Sequence, residues 1–356
     1  MKEFIIKENE AGQRFDKYLA KLLSKAPKGF VYKMLRKKNI KLNDKKASGG
    51  EKLQPRDRVS VYLSDETFAK FSPSREVSYE SGEKLNILYE DAHILLVNKP
   101  AGMLSQRASG KEPSLVEYLI GYLVESGQLT REELATFHPS VCNRLDRNTS
   151  GIVACGKSLT GLQELARLFS GRLLHKKYLC IVKGVIKKEK FIKGYLHKDE
   201  KCNKVRVYLQ EREDAVPIET QYTPLGDNGS VTLLCVTLFT GRSHQIRAHL
   251  ASTGHPLLGD RKYGDTAVNE KMYRKYSLKH QLLHSFLLEM PRLDGALGPV
   301  SQKVFCAPVP ALFQNILKGE SLEESYYEIL ERNMGICEAD SVCTHLRCDC
   351  GSGSIN

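Results

Sequence analysis

Apolar residues recur at helical spacing near the start of the chain and predict two amphipathic helices, over residues 14–25 and about 30–38. A short apolar run at 40–42 and an alternation of apolar residues over 59–63 predict two strands. Two helices and a few strands in so short a segment indicate a compact module, which we place at residues 1–63.

The pattern changes after this module. Residues 64–84 are polar and contain Ser72-Pro73-Ser74, which is typical of a linker. From Leu85 onward, strand and helix patterns alternate irregularly and include a hairpin over 87–97. This order favours the α+β fold class, with a mixed, largely antiparallel sheet in a domain over 85–318 and a small basic α+β domain ahead of it. Residues 319–356 are expected to form a helix and a disordered tail that contains cysteines.

The positive charge of the chain is concentrated in the N-terminal module. The net charge is +12, and residues 13–63 contain fifteen Lys or Arg residues against four Asp or Glu residues. Such a local excess is typical of a protein that binds a polyanion, and the segment lacks the aromatic face that a helix inserts into a membrane. The candidate polyanion-contacting residues are Arg14, Lys33, Arg36, Lys37 and Lys38.

The chain lacks the features of an exported or membrane protein. Its first residues do not form the apolar run of a signal peptide, and no apolar stretch is long enough to cross a bilayer. The sequence therefore predicts a cytoplasmic protein.

Residues 143–151, Asn-Arg-Leu-Asp-Arg-Asn-Thr-Ser-Gly, form the stretch that points to chemistry. They place Asp146 between Arg144 and Arg147, and nearby positive charge favours the ionised form of a carboxylate. An ionised carboxylate suits a nucleophile, a base or an electrostatic stabiliser. The same residue types are common in surface turns, and the spacing alone favours a turn. The segments that accompany this stretch reverse that preference.

Residues 143–151, followed by a Gly-Ile-Val strand, resemble the catalytic segment of the RluA-type pseudouridine synthases. Two further segments match this family in order and spacing. They are Lys176-Lys177-Tyr178 and Thr-Gly-Arg-Ser-His-Gln-Ile-Arg-Ala-His at 240–249, the latter followed by Gly-Asp-Arg-Lys-Tyr-Gly at 259–264. With residues 88–102, which resemble the family's first strand pair, the resemblance covers the chain from about 85 to 318. The basic module resembles the small S-four RNA-binding domain that often precedes this catalytic domain.

The resemblance implies roles for individual residues. Asp146 is the implied catalytic residue, and Arg144, Tyr178, Ile246 and Arg247 are the implied substrate-binding residues. Arg247 would pair with Asp146 and keep it ionised and oriented. Tyr178 would stack on the uracil, with its hydroxyl as a candidate proton acceptor, and Arg144 would fill the space of the displaced nucleotide or hold its phosphate.

The implied function is the isomerisation of specific uridines in structured RNA to pseudouridine, with ribosomal RNA as the expected substrate. The target base must leave its stack, so base flipping is expected. Whether Asp146 attacks the ribose carbon or takes the proton from the ribose 2′ position stays open. The reaction needs no cofactor, and the sequence lacks a phosphate-binding loop and a dinucleotide fingerprint. RNA is the expected partner of a monomer that needs no membrane and no obligate protein partner.

Other features leave this interpretation unchanged. Asn143 stands where the family usually has His, which leaves open how the catalytic loop is braced. Asp260 and Tyr263 are expected to shape the base pocket. His244 and His249 are five residues apart and do not share a helical face, so no metal site is predicted there. The tail contains four cysteines, Cys337, Cys343, Cys348 and Cys350. They do not form the Cys-x-x-Cys pairs that are typical of structural zinc sites, so no zinc site is predicted there.

Two other classes of function compete with the synthase. One is a non-catalytic RNA-binding protein, against which the intact Asp146, Tyr178 and Arg247 argue. The other is a glycoside hydrolase acting on RNA or nucleosides, which would need a second acid placed against the first. The matched segments contain no evident second acid.

Overall fold

The computed structural model describes residues 1–72, 79, 84–107, 112–131, 133–199 and 204–334. The helices in this part of the chain are α1 (Phe15–Leu22), α2 (Lys28–Arg36), α3 (Asp65–Phe71), α4 (Leu115–Glu125), α5 (Leu159–Ser170), α6 (Gln245–Ser252), α7 (Thr266–Tyr276), α8 (Ala311–Gly319) and α9 (Glu323–Met334). The strands are β1 (Lys2–Ile5), β2 (Ile40–Leu42), β3 (Lys45–Lys46), β4 (Arg58–Val61), β5 (Ile87–Glu90), β6 (Ile94–Lys99), β7 (Ser140–Val141), β8 (Ser150–Gly156), β9 (His175–Lys183), β10 (Lys190–Asp199), β11 (Lys204–Tyr208), β12 (Val216–Asp227), β13 (Val231–Leu238), β14 (Leu283–Glu289) and β15 (Val304–Cys306).

The N-terminal segment folds around its own small sheet. Its four strands lie in the order β1-β4-β2-β3, and α1 and α2 bury their apolar faces against them. Phe15, Tyr18 and Leu35 lie in this core with almost no exposed surface. The two predicted helices are thus present, whereas β1 was not predicted because four residues with two charges give too short a pattern.

A helix occupies the first part of the segment that we predicted to be a linker. Ser64 caps α3 by accepting a hydrogen bond from the Thr67 backbone N–H at 3.2 Å. Phe68 stacks on Phe4 at 5.9 Å between ring centroids, and Phe71 contacts Phe30 at 4.5 Å. These two aromatic side chains tie α3 to the N-terminal core, so the prediction of a linker is wrong for residues 65–71.

The remaining strands form one large sheet, mixed and largely antiparallel as predicted. Its main path is β11-β10-β12-β13-β9-β14-β8-β6-β5, with β15 added to β14 and β7 added to β8. Strand β14 pairs in parallel with β8 and in antiparallel with β9, and the other strand pairs of the described chain are antiparallel. The central strands are buried on both faces, which explains their continuous apolar runs.

Helices cover both faces of this sheet. Tyr178 and Cys180 of β9 point toward a core that includes residues of α4 and α6, whereas Leu179 and Ile181 point toward a core built with α7, α8 and α9. The period of two along a strand therefore places Tyr178 on the same face of the sheet as α6. No helix within the described residues is long and apolar enough to span a membrane. The cysteine-containing tail lies outside the described residues.

Candidate active site

The loop that carries Asp146 is braced from two sides. Asn143 accepts a hydrogen bond from the Ala154 backbone N–H at 2.8 Å and donates one to the Ile152 carbonyl at 3.2 Å, which ties the loop to β8. Gly151 has φ of +110°, and a Cβ built on it would lie 2.2 Å from the Ser285 carbonyl oxygen. Only glycine fits this close approach of β8 to β14. The amide of Asn143 thus provides a brace where the resembling family usually has His.

A buried lysine holds the other side of the same loop. Lys99 has no exposed surface, and its Nζ donates to the carbonyls of Pro100 at 2.8 Å, Met103 at 2.9 Å and Arg147 at 3.1 Å. Burial lowers the pKa of Lys99 to about 7, although the charge of Asp146 acts to raise it. Three carbonyl acceptors require three N–H donors, which only the ammonium form supplies. Lys99 was not singled out from the sequence.

Asp146 forms an ion pair with Arg247 from the opposite side of the cleft. Arg247 Nη1 donates to Asp146 Oδ2 at 2.8 Å, although the two residues are 101 positions apart. Arg147, the sequence neighbour of Asp146, instead donates through Nε to the Gly102 carbonyl at 3.0 Å and binds Glu112. The positive charge that contacts Asp146 therefore comes from α6 and not from the adjacent arginine.

A second carboxylate fixes Arg247 from behind. Asp260 accepts from Arg247 Nε at 2.7 Å and from Nη2 at 2.9 Å, and its side chain has no exposed surface. Burial acts to raise the pKa of Asp260, but the hydrogen bonds and charge of Arg247 hold it below its ordinary value. Arg247 thus bridges a buried and a half-buried acid in fixed geometry. Asp260 does not line the cleft, so any effect that it has on the pocket passes through Arg247.

The cleft in front of Asp146 is largely apolar and opens to solvent. It lies between the loop before β8, strands β9, β13 and β14, and the start of α6, and the space within it, counted out to open solvent, is about 340 Å³. Its walls combine five apolar residues with seven polar or charged ones, so a flat ring can rest on apolar surface while polar groups orient it. The lining residues are Arg144, Leu145, Asp146, Thr149, Tyr178, Leu238, Arg242, His244, Gln245, Ile246, Arg247 and Leu283.

All five residues predicted from the catalytic segments meet in this cleft, namely Asp146, Arg144, Tyr178, Ile246 and Arg247. Tyr178 forms part of the wall, and its burial raises the pKa of the hydroxyl to about 12, with Ser285 acting to lower it and Asp146 to raise it. The hydroxyl is therefore protonated at neutral pH. Arg144 is exposed at the mouth.

Two histidines near the cleft differ in their surroundings. His249 is buried, its Nδ1 lies 3.0 Å from Thr220 Oγ1, and burial lowers its pKa to about 4. His244 lines the cleft, and its Nδ1 lies 2.9 Å from the Tyr263 hydroxyl. Tyr263 does not line the cleft, so it too lies behind the pocket and not in its wall. The described residues contain no cluster of His, Cys, Asp or Glu that could hold a metal ion.

The basic residues predicted in the N-terminal module are all exposed. Lys33 and Arg36 lie on α2, and Lys37 and Lys38 follow its end. Arg14 precedes α1 and binds Asp16 at 2.9 Å. Four of the five predicted residues thus form one exposed basic segment at the end of α2, whereas Arg14 is engaged in a local ion pair.

The sheet and the cleft, with its paired Asp146 and Arg247, define the class of protein. A family model described as RNA pseudouridylate synthase matches residues 93–252. The chain belongs to this family and is an RNA pseudouridine synthase, an isomerase.

Individual relatives and solved structures support the assignment. The chain is 32% identical over 317 residues to a protein of Pasteurella multocida named ribosomal large subunit pseudouridine synthase C. This alignment covers 86% of this chain and 94% of the relative. A protein of the same name from Vibrio cholerae is 32% identical over 284 residues, spanning 79% of this chain and 85% of the relative. In fold, the chain is similar to human RNA pseudouridylate synthase domain containing 4, with a TM-score of 0.52, 22% identity, and coverage of 65% of this chain and 92% of the human chain.

Proposed function

We propose that this chain converts specific uridines of large-subunit ribosomal RNA to pseudouridine, with Asp146 as the catalytic carboxylate. The observation that carries the proposal is the Asp146–Arg247 ion pair at 2.8 Å against an apolar cleft. The guanidinium keeps the carboxylate charged and aimed, and the apolar walls suit a uracil ring. The relatives named for action on the ribosomal large subunit support the choice of RNA.

The reaction needs little beyond this arrangement. The bond from the ribose C1′ to uracil N1 breaks, the detached ring turns, and C1′ bonds to C5. The proton on C5 leaves and N1 gains one, so atoms and charge balance without a cofactor. A base within a stacked helix cannot reach the cleft, so the target nucleotide must flip out of its stack. Arg144 and Arg242 line the mouth, form no ion pair within the described chain, and suit the displaced strand's phosphates.

Replacing Asp146 with Asn tests the catalytic role. We expect the Asp146→Asn variant to release no tritium from RNA labelled at uridine C5, while its affinity for the RNA stays within about threefold of that of the parent. The matched control is Asp227→Asn, because Asp227 is a carboxylate in a surface ion pair with Lys187. A variant that still forms pseudouridine at the parental rate contradicts the assignment. Mapping pseudouridines in cellular RNA with and without the gene then identifies the target.

We further propose that the N-terminal module binds RNA through the basic segment at the end of α2. Lys33, Arg36, Lys37 and Lys38 are exposed and project from a folded core, so they are accessible to a phosphate backbone. The buried hydroxyl of Thr136 donates to Glu10, which fixes the module against the catalytic part of the chain. Deleting residues 1–63 would remove Glu10 and uncover the buried Thr136, so substitutions in the full chain give the cleaner test.

The test replaces these four basic residues with Gln and measures RNA affinity against salt concentration. If each residue neutralises one phosphate, the slope of log K against log salt falls by about 3. The control replaces four exposed basic residues of α7 and α8 with Gln, namely Lys271, Arg274, Lys275 and Lys318. Equal slopes for the two variants would contradict the role proposed for the module.

A further inference from the structure

His244 stands directly before α6 in a backbone conformation that few side chains adopt. Its φ is 56° and its ψ is 14°, in the left-handed region, which residues other than Gly seldom adopt and in which His is found more often than most. The side chain is 11% exposed and faces the cleft. The fold thus brings an imidazole with little exposed surface to the wall of the cleft.

The hydrogen bonds behind His244 fix which ring nitrogen carries the proton. The Tyr263 hydroxyl oxygen accepts a hydrogen bond from the Val205 backbone N–H at 2.9 Å. We assign its own proton to the bond with His244 Nδ1, 2.9 Å away, because this is the one other hydrogen-bond partner of the hydroxyl in the described chain and an N–H at Nδ1 would leave the hydroxyl proton without an acceptor. Nδ1 is therefore an acceptor, and the ring proton of the neutral imidazole lies on Nε2.

The imidazole is neutral at physiological pH. Burial lowers the pKa of His244 below its ordinary value; Asp146 and Asp260 act to raise it, and Arg247 and Lys262 act to lower it. Nε2 lies 3.9 Å from Asp146 Oδ2, which is too long for a hydrogen bond, while Arg247 occupies that oxygen at 2.8 Å. The Nε2–H group is thus a neutral donor beside the catalytic carboxylate, with no acceptor in the described protein.

The proposed function supplies an acceptor at this place. When the bond from C1′ to N1 breaks, its electron pair moves onto the uracil and spreads from N1 to the adjacent carbonyl oxygen O2. The ribose has to contact Asp146, so N1 and O2, which are next to the ribose, come within a few ångströms of the carboxylate. We propose that His244 is a second catalytic residue, whose Nε2–H donates a hydrogen bond to O2 of the departing uracil. A neutral donor stabilises this developing charge without protonating the ring.

The inference rests on the proposed function. It is tested by a double-mutant cycle that combines a substitution of His244 with sulfur substitution of a single oxygen of the target uracil. Single-turnover rates are measured for the parent chain and for His244→Phe, which keeps a ring but removes both nitrogens. Each protein is assayed on RNA with uridine, 2-thiouridine or 4-thiouridine at the target position. Sulfur accepts hydrogen bonds weakly. We expect His244→Phe to lower the rate on uridine RNA by about 10²-fold, the size of loss seen when one such donor is removed.

The coupling between His244→Phe and the 2-thio substitution decides the outcome. If His244 binds O2, the 2-thio substitution slows the parent but adds almost nothing in His244→Phe, whereas 4-thio affects both proteins equally. Losses from 2-thio and His244→Phe that simply multiply would overturn the inference. Tyr263→Phe, which frees the imidazole to change tautomer, should cost about tenfold in rate with unchanged RNA affinity. A parent chain that releases no tritium from uridine RNA refutes the proposed function instead, so the two failures are distinguishable.

Discussion

Asp260 should matter for both stability and catalysis, although it does not touch the cleft. In Asp260→Asn the amide oxygen can replace Oδ1, which accepts from Arg247 Nη2 at 2.9 Å and from the backbone N–H groups of Lys262 at 2.8 Å and Tyr263 at 3.1 Å. The amide NH₂ then takes the place of Oδ2, which in the parent accepts a hydrogen bond from Arg247 Nε–H at 2.7 Å. Two donors oppose each other, and a buried guanidinium loses a neutralising charge.

Breaking a buried ion pair in this way costs about 3–5 kcal/mol of unfolding free energy, or roughly 10 °C in Tm for a domain of this size. The chain has no tryptophan, so urea unfolding followed by circular dichroism is the suitable assay. The single-turnover rate should also fall by at least about tenfold, because a 1 Å shift of Arg247 misaligns Asp146. Asp227→Asn removes an exposed ion pair and should cost less than about 1 kcal/mol, with no loss of rate. Equal stability losses in the two variants would refute the reasoning.

Three further predictions concern the frame around the cleft. Burial lowers the pKa of His284 to about 4, so below pH 6.5 the unfolded chain binds a proton that the folded chain does not. The free energy of unfolding should therefore fall by about 3 kcal/mol as the pH is lowered from 6.5 to 4. His284→Asn should reduce this pH dependence, as measured by urea unfolding. Lys99→Met leaves the carbonyls of Pro100 and Met103 without a donor, whereas the Arg147 carbonyl still accepts from the Gly102 N–H at 2.9 Å. The variant should lower the unfolding free energy by more than about 2 kcal/mol and the catalytic rate with it, and a variant as stable and active as the parent would contradict the role of Lys99 in bracing the loop. Gly151→Ala drives a Cβ into the Ser285 carbonyl and should yield little folded protein on expression, so a soluble, active variant would argue against this packing.

Local patterns predicted the elements that carry strong periodicity. The helices expected over 14–25 and about 30–38 are α1 and α2, and the hairpin expected over 87–97 is the pair β5 and β6. Weak patterns failed: β1 is too short, and α3 exists because Phe68 and Phe71 find partners that only tertiary structure supplies. Element prediction thus succeeded where one segment alone contains the signal.

The same distinction applies to the site. Asp146 and Tyr178 were found through their flanking segments, and the resemblance placed Arg247 against Asp146. Lys99 was missed, and the contact of Asp260 with Arg247 was not predicted, because both depend on burial and on contact with distant residues. Neither the lysine that ends β6 nor an aspartate beside glycine is unusual in its local sequence. Their roles become visible only when the folded chain brings them behind the two residues that face the cleft.

The position of β14 has a consequence for how the protein is made. This strand, Leu283–Glu289, lies between β9 and β8, and Tyr178 of the cleft is in register with Ser285. On a translating ribosome, the halves of the sheet cannot close until β14 has been synthesised and has left the ribosome. The N-terminal module, which has its own sheet and core, can therefore fold before the active site exists.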